Sequence, residues 1–345
     1  MCRRSRNIAH RLFFNLLFFS VFLGFVSCSK EEGFEKEKQI VVLFSPTGLG
    51  DVGYNDQIMR GVQSVHYSRG DAQMHLISPA SMEEAGVIFD DWMKSDASNS
   101  QQTLMVLASA DYGPFLAERL QGTKAEREGK DILLFETPND DNLDVYSFQI
   151  EMYGASYLAG AMVGESGIEN ALALLSNPID KVIAAAGDGF MDGYEQTTGR
   201  IATMEYLHDD WHGYVMSQEA YEMMPELSQK YQFIFPVAGG TNLGIYRYLR
   251  ENPDGPLVAG MDVDQSAYSS RIVGSVVKHI DILVANYLNA WIDGKPLERK
   301  CSYGLESGYI DWVLAPAYQS AYGALVEKYR QQAINKELEY APLVK

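Results

Sequence analysis

Apolar residues in this chain gather in short continuous runs, separated by longer stretches where they recur at helical spacing. The runs at residues 40–45, 74–77, 103–108 and 132–135 are unbroken rather than alternating. That is the pattern of parallel strands buried on both faces. Helices fit between them: Ser81-Met82-Glu83-Glu84 is a capping-box pattern opening the second, and residues 111–120 supply the third. A second series follows, with strands at 171–175, 233–237 and 257–261, separated or preceded by helical stretches at 152–163, 181–196 and 219–230. Two such series predict an α/β protein of two doubly wound lobes.

The ends of two late strands carry the most chemistry. Leu257-Val258-Ala259-Gly260 delivers Asp262-Val263-Asp264-Gln265, and Ile272-Val273-Gly274-Ser275-Val276-Val277 delivers Lys278. In open α/β sheets, ligands sit beyond the carboxyl ends of the strands, so Asp262 and Lys278 can converge on one polar ligand. Strand-end charges also occur as solvated loop residues, a reading that weighs most on Asp264.

The first residues set the compartment. Arg3, Arg4, Arg6 and Arg11 precede an apolar run over 12–26 and then Val26-Ser27-Cys28, the layout of an export signal. As a helix that run would span only about 22 Å, short of a hydrocarbon core of roughly 30 Å. Phe25-Val26-Ser27-Cys28 resembles a bacterial lipobox, which implies a signal peptide over 1–27 and a lipidated Cys28. The polar stretch over 28–38 then reads as a tether. Losing the four arginines takes Lys plus Arg from 28 to 24 against 46 acids, and the net charge from −18 to −22. Nucleic acid and anionic membrane surfaces are therefore poor partners. With Cys2 removed and Cys28 lipidated, Cys301 has no partner for an intramolecular disulfide.

Enzymatic readings are thin. Gly48-Leu49-Gly50-Asp51-Val52-Gly53 satisfies a dinucleotide fingerprint after a strand, but Asp51 would repel a pyrophosphate there, and the second strand ends without the expected acid. His208-Asp209-Asp210-Trp211-His212 spaces two histidines for metal binding only if helical, and its composition favours a solvated turn, so no metal site is assigned. Cys301 beside Lys300 reads as an isolated buried thiol rather than a reactive one. Neither a nucleophile elbow nor a Walker A motif is present, and no cofactor is expected.

Five ordered segments resemble the basic membrane protein family of substrate-binding lipoproteins, which includes purine nucleoside receptors of ABC transporters. They are Gly50-Asp51-Val52-Gly53-Tyr54-Asn55-Asp56; Ser156-Tyr157-Leu158-Ala159-Gly160; Gly189-Phe190-Met191-Asp192-Gly193; Ala238-Gly239-Gly240-Thr241; and Gly260 through Lys278. Gly53, Tyr54 and Asn242 stand where the family has serine, phenylalanine and glycine, and Ser176-Asn177-Pro178 replaces a glycine pair. These departures bear on ligand identity.

The resemblance implies a type I periplasmic-binding-protein architecture, two lobes joined by a multi-strand hinge and closing on a ligand. The N-terminal lobe would take 39–147 plus about 278–303, and the C-terminal lobe 148–277 plus about 304–345. It implies Asp262 accepting from ribose hydroxyls, Lys278 donating to them, Asp51 and Asn55 reading polar edges, and Tyr54 stacking on the base. Tyr54 also reads as a core or hinge aromatic. Asp111 and Tyr112 are further contacts on base or ribose. Gly239 and Gly240 permit close backbone approach, with Thr241 capping the next helix. The expected protein is non-enzymatic and anchored in the cell envelope by Cys28, facing the periplasm or exterior. It would deliver a purine nucleoside to an ABC permease. A ligand-presenting sensor, a sugar-binding protein and, remotely, an extracytoplasmic enzyme are the alternatives.

Overall fold

The computed structural model describes residues 37–95, 101–120, 127–137 and 143–340. The expected signal peptide, Cys28 and most of the tether lie outside the described residues.

Two six-stranded sheets organise the chain. The first holds β1 (Glu37–Phe44), β2 (Ala72–Ile77), β3 (Gln101–Ala108), β4 (Lys130–Phe135), β5 (Tyr146–Ile150) and β11 (Cys301–Tyr303), in the order β11-β5-β4-β3-β1-β2 and parallel throughout. The second holds β6 (Ala171–Leu175), β7 (Thr203–Tyr206), β8 (Phe233–Val237), β9 (Leu257–Asp262), β10 (Ile272–Lys278) and β12 (Ile310–Leu314). Its order is β12-β10-β9-β8-β6-β7, parallel except for the antiparallel β10–β12 pair.

The unbroken apolar runs are explained by burial on both faces. Along β1, Ile40, Val42 and Phe44 enter one core while Val41 and Leu43 enter another on the opposite face. Ala171, Ala173 and Leu175 of β6 join the first of these cores, and Leu172 and Leu174 face a third. A strand with apolar side chains on both faces is held in register, because neither face can be turned to water without cost.

Helices α1 (Tyr54–Ser68), α2 (Met82–Lys94), α3 (Tyr112–Arg119) and α8 (Ile280–Ile292) accompany the first sheet; α4 (Tyr153–Glu165), α5 (Lys181–Thr198), α6 (Ser217–Lys230), α7 (Asn242–Glu251) and α9 (Gln319–Tyr340) accompany the second. The capping box before α2 forms partly as expected. Ser81 Oγ accepts from Glu84 N at 3.2 Å, while the Glu84 carboxylate accepts from Ala80 N, one residue further out than the motif requires.

Two of the family-like segments prove to be packing elements. A Cβ on Gly160 would stand 2.1 Å from Phe190 O, and one on Gly193 2.2 Å from Tyr157 O. α4 and α5 therefore touch backbone to backbone, which only glycine permits at these positions. The segments 156–160 and 189–193 thus face each other rather than a ligand.

The chain passes between the sheets three times: from β5 into α4, from β10 through His279 into α8, and after β11 at Gly304. Two of these passages are tied by one buried side chain. Glu337 of α9, 5 % exposed, accepts from Gly154 N at 2.8 Å and from Leu305 N at 2.7 Å. Burial pushes its carboxyl up to about 7 against those two backbone donors. Glu337→Ala is expected to leave two buried N–H groups unpaired and to cost about 1–3 kcal/mol, read as a lowered unfolding midpoint. An unchanged midpoint would show that water replaces the carboxylate.

Candidate ligand-binding site

Between the carboxyl edges of the two sheets lies a cavity of about 290 Å³, near the lower bound of small-molecule sites at roughly 300 Å³. The first sheet's side contributes Asp51 from the β1–α1 turn, Tyr54 and Asn55 from the start of α1, Ser109 and Ala110 after β3, and Glu136 after β4. The second contributes Asp180, Trp211, Tyr214, Gly239, Gly240, Asp262 and Lys278. Each of these ends a strand, sits in the connection beyond a strand's carboxyl end, or opens the helix that follows, as doubly wound sheets require.

Asp262 ends β9 in a left-handed conformation, φ 67°. Aspartate tolerates this better than most residues, but the strain persists only because the surroundings hold it. Gln57 Nε2 donates to Asp262 O at 2.7 Å, and Gln265 Nε2 donates to Val52 O at 3.2 Å, so two hydrogen bonds join the β9 end to the β1–α1 region across the cleft. Among the described residues, no hydrogen-bond donor meets the Asp262 carboxylate. Burial pushes its carboxyl up to about 6, with Lys278 opposing and Asp51 adding to the shift. A Cβ on Gly53 would stand 3.0 Å from Asp262 Oδ2. The glycine at this position thus leaves space beside that oxygen.

Lys278 is 4 % exposed. Its nearest carboxylate is Glu136, Nζ to Oε1 3.4 Å, reaching across from the other sheet. Lys278 and Asp262 thus share the cavity without a direct ion pair: Asp262 contributes attraction at longer range, and Glu136 makes the contact. Burial opposes the lysine's charge, but Glu136, Asp262 and Asp180 outweigh it and hold the ammonium protonated. Burial likewise pushes Glu136 up to about 6 despite Lys278. Lys278 Nζ also lies 5.3 Å from the centre of the Tyr54 ring, a cation–π distance.

Asp51 and Asn55 reach the cavity wall, but much of Asp51 is occupied. Its Oδ2 accepts from Asn55 N at 2.8 Å and Asn55 Nδ2 at 3.1 Å, and its Oδ1 from Gly53 N at 3.0 Å. The carboxylate thus covers the first amides of α1, where a dinucleotide's pyrophosphate would have to sit. Burial nonetheless raises its carboxyl above the usual range. Tyr54 Oη and Asn55 Oδ1 are buried with no hydrogen-bond partner among the described residues.

Asp111 and Tyr112 lie behind the wall. Ser45 Oγ donates to Asp111 Oδ2 at 3.2 Å, and Asp111 Oδ1 is buried without a hydrogen-bond partner among the described residues. Tyr112 belongs to the core between β1 and α3, its hydroxyl donating to Phe44 O at 2.8 Å, and it does not line the cavity. Its apolar ring satisfies the periodicity of α3, which is why it turned inward. Asp264 is exposed and accepts from Ser266 N, the turn residue that strand-end charges often are.

Gly239, at φ 51°, and Gly240 do permit close approach: a Cβ on Gly239 would meet the Tyr214 ring at 2.9 Å. Thr241 does not cap α7. Its hydroxyl donates to Gly213 O at 2.8 Å and accepts from Met216 N at 2.7 Å, fixing the loop before α6 instead. That loop supplies two aromatics. Trp211 and Tyr214 stack at 5.9 Å and 18°, and Tyr214 donates to Asp180 Oδ2 at 2.7 Å.

A sequence model for the PnrA-like ABC transporter substrate-binding proteins matches residues 38–342. The chain belongs to this family. Among functionally curated proteins no sequence match was found. Among solved structures, it is similar to an ABC transporter solute-binding protein from Aeropyrum pernix K1 at 19 % identity and TM-score 0.65, over 89 % of this chain and 90 % of that one. It is also similar to a periplasmic solute-binding protein from Actinobacillus succinogenes 130z with bound D-allose, at 13 % identity and TM-score 0.62, over 82 % and 99 %. A LacI family transcriptional regulator from Enterococcus faecium with bound ribose shares 16 % identity and TM-score 0.58, over 79 % and 96 %. At these identities the likeness is one of fold, the type I periplasmic-binding-protein architecture.

The receptor is thus an extracytoplasmic solute-binding protein of an ABC transporter, not an enzyme. Sequence reasoning missed Glu136, Asp180, Trp211 and Tyr214. Glu136 directly follows the run at 132–135, so the strand-end rule that singled out Lys278 would have found it. Asp180 is the N-cap of α5, accepting from Val182 N, five residues past β6. Trp211 was hidden in a stretch read as a solvated turn. Cys301 is half-buried on a short edge strand, and burial raises its thiol, which agrees with an unreactive cysteine.

Proposed function

We propose that this receptor captures a purine nucleoside and delivers it to an ABC permease from a lipid anchor on Cys28. The observation that carries the reading is the Asp262 carboxylate, buried, unpaired and backed by the Lys278 ammonium. An acceptor and a donor so arranged suit vicinal hydroxyls, each able to give and to receive a hydrogen bond. Among the described residues, four carboxylates, from Asp51, Glu136, Asp180 and Asp262, line the cavity with a single lysine. Such a site favours ligands rich in O–H and N–H donors and opposes phosphates. Tyr54 from one side and Trp211 from the other offer aromatic faces suited to a base.

Mass spectrometry of ligand released from gently purified protein is the direct test, followed by titration with guanosine, inosine, adenosine, uridine and ribose. Tight binding of purine nucleosides with weak ribose supports the reading. Equal or tighter binding of ribose would favour a sugar receptor, and silence toward all five would reject the ligand class. Tyr54→Ala and Trp211→Ala are each expected to lower nucleoside affinity by about 1–3 kcal/mol if they stack on the base. A loss confined to thermal stability would make Tyr54 a hinge aromatic. For the anchor, Cys28→Ala is expected to move the protein from the membrane to the soluble fraction. Retention in the membrane would point to an uncleaved signal segment.

A further inference from the structure

We propose that the connection between β7 and α6 carries a binding site for a divalent transition-metal ion, formed by His208, Asp210 and His212. Helical spacing is not how the histidines meet. Asp210 is extended, and its Oδ1 accepts from His212 N at 2.8 Å, which folds His212 back over the carboxylate. His208 Nδ1 then stands 2.7 Å from Asp210 Oδ1, and His212 Nδ1 3.1 Å from the same oxygen. One ligand atom from each residue falls within 4.8 Å of the other two. Ligands bound at about 2.0–2.2 Å to one ion sit roughly 3–4 Å apart, so small side-chain rotations complete the site.

Two imidazoles and one carboxylate select borderline ions such as zinc, cobalt, nickel or copper over calcium and magnesium, which prefer all-oxygen shells. All three side chains are exposed, which leaves the remaining coordination positions to water.

The loop is also pinned in place. Leu207 N donates to Leu175 O at 2.8 Å and His208 N to Ser176 O at 3.1 Å, so the first ligand is fixed to the end of β6. Gly213 lies so near Ser176 that a Cβ would stand 1.9 Å from its carbonyl oxygen. Trp211, between the second and third ligands, stacks on Tyr214, and both line the cavity. An ion here would brace the segment that presents the receptor's aromatic wall, whatever ligand the cleft takes.

The test is titration of the full-length chain, purified in detergent through a histidine-free tag and stripped with EDTA, with cobalt(II) and zinc(II). Saturable uptake of one ion per chain is expected, weakened roughly tenfold or more in the His208→Gln, His212→Gln double variant. Both imidazoles are solvent-exposed, so the variant should melt as the parent does, which circular dichroism checks. Uptake identical in the double variant, or no saturable uptake by the parent up to millimolar ion, would overturn the site. In that case the three residues form only a hydrogen-bonded turn.

Discussion

Lys278→Met is expected to cost about 2–5 kcal/mol of nucleoside affinity, a loss of about 30-fold to several thousand-fold by calorimetric titration. Methionine keeps an apolar stem beside the Tyr54 ring, so the change isolates the ammonium. Without it, Glu136 loses its 3.4 Å partner, and Asp262 and Asp180 lose the cation that offsets their burial. The effect on folding follows from the same imbalance. Uncompensated buried carboxylates take up protons more readily, so the variant's stability deficit should be smaller at pH 5 than at pH 8. An affinity within twofold of the parent's would remove Lys278 from the site.

The second large effect runs in opposite directions for binding and stability. Asp262→Asn should weaken nucleoside binding by roughly 1.5–3 kcal/mol, because a charge-assisted acceptor becomes a neutral amide. The same change should stabilise the ligand-free chain. Burial raises the Asp262 carboxyl from 3.8 to about 6. A group whose folded pKa is raised contributes stability below its unfolded pKa and loses it as pH climbs through the folded one. At pH 7.5 the parent therefore carries the full cost of an ionised buried carboxylate, about 3 kcal/mol on this scale, and asparagine does not. Asparagine also accepts the left-handed backbone at this position. Higher melting with weaker binding would identify Asp262 as a residue kept for the ligand. Lower melting with unchanged binding would make it a structural one.

The pH dependence of wild-type binding follows from the same groups. With burial pushing the Glu136 and Asp262 carboxyls each up to about 6, affinity should fall as pH drops from 7.5 to 5, since protons compete for the acceptors.

Sequence alone determined the alternating α/β order, the two-sheet division and the strand ends on which Asp262 and Lys278 stand. Each is a local property: continuous apolar runs have one stable solution, burial on both faces, and a charge at the end of such a run must emerge at the sheet's carboxyl edge. It also supplied the family resemblance, through segments whose glycines record close helix packing. The short β11, with only Cys301-Ser302-Tyr303, carries too little pattern to be read. The long α9 buries only Val326, Ala333 and Glu337, so it shows no apolar stripe.

Tertiary structure decided the pairings. Glu136 and Lys278 are 142 positions apart and meet only because the two sheets turn their carboxyl edges toward one cleft. Asp111 and Tyr112 are neighbours in sequence beside the same strand end, yet both are drawn behind the wall, the first by Ser45 and the second by an apolar core. His208 and His212 converge through a carboxylate-centred turn that no helical spacing would suggest. Sequence places a charged group at an edge; which group it faces depends on the distant chain folded against that edge.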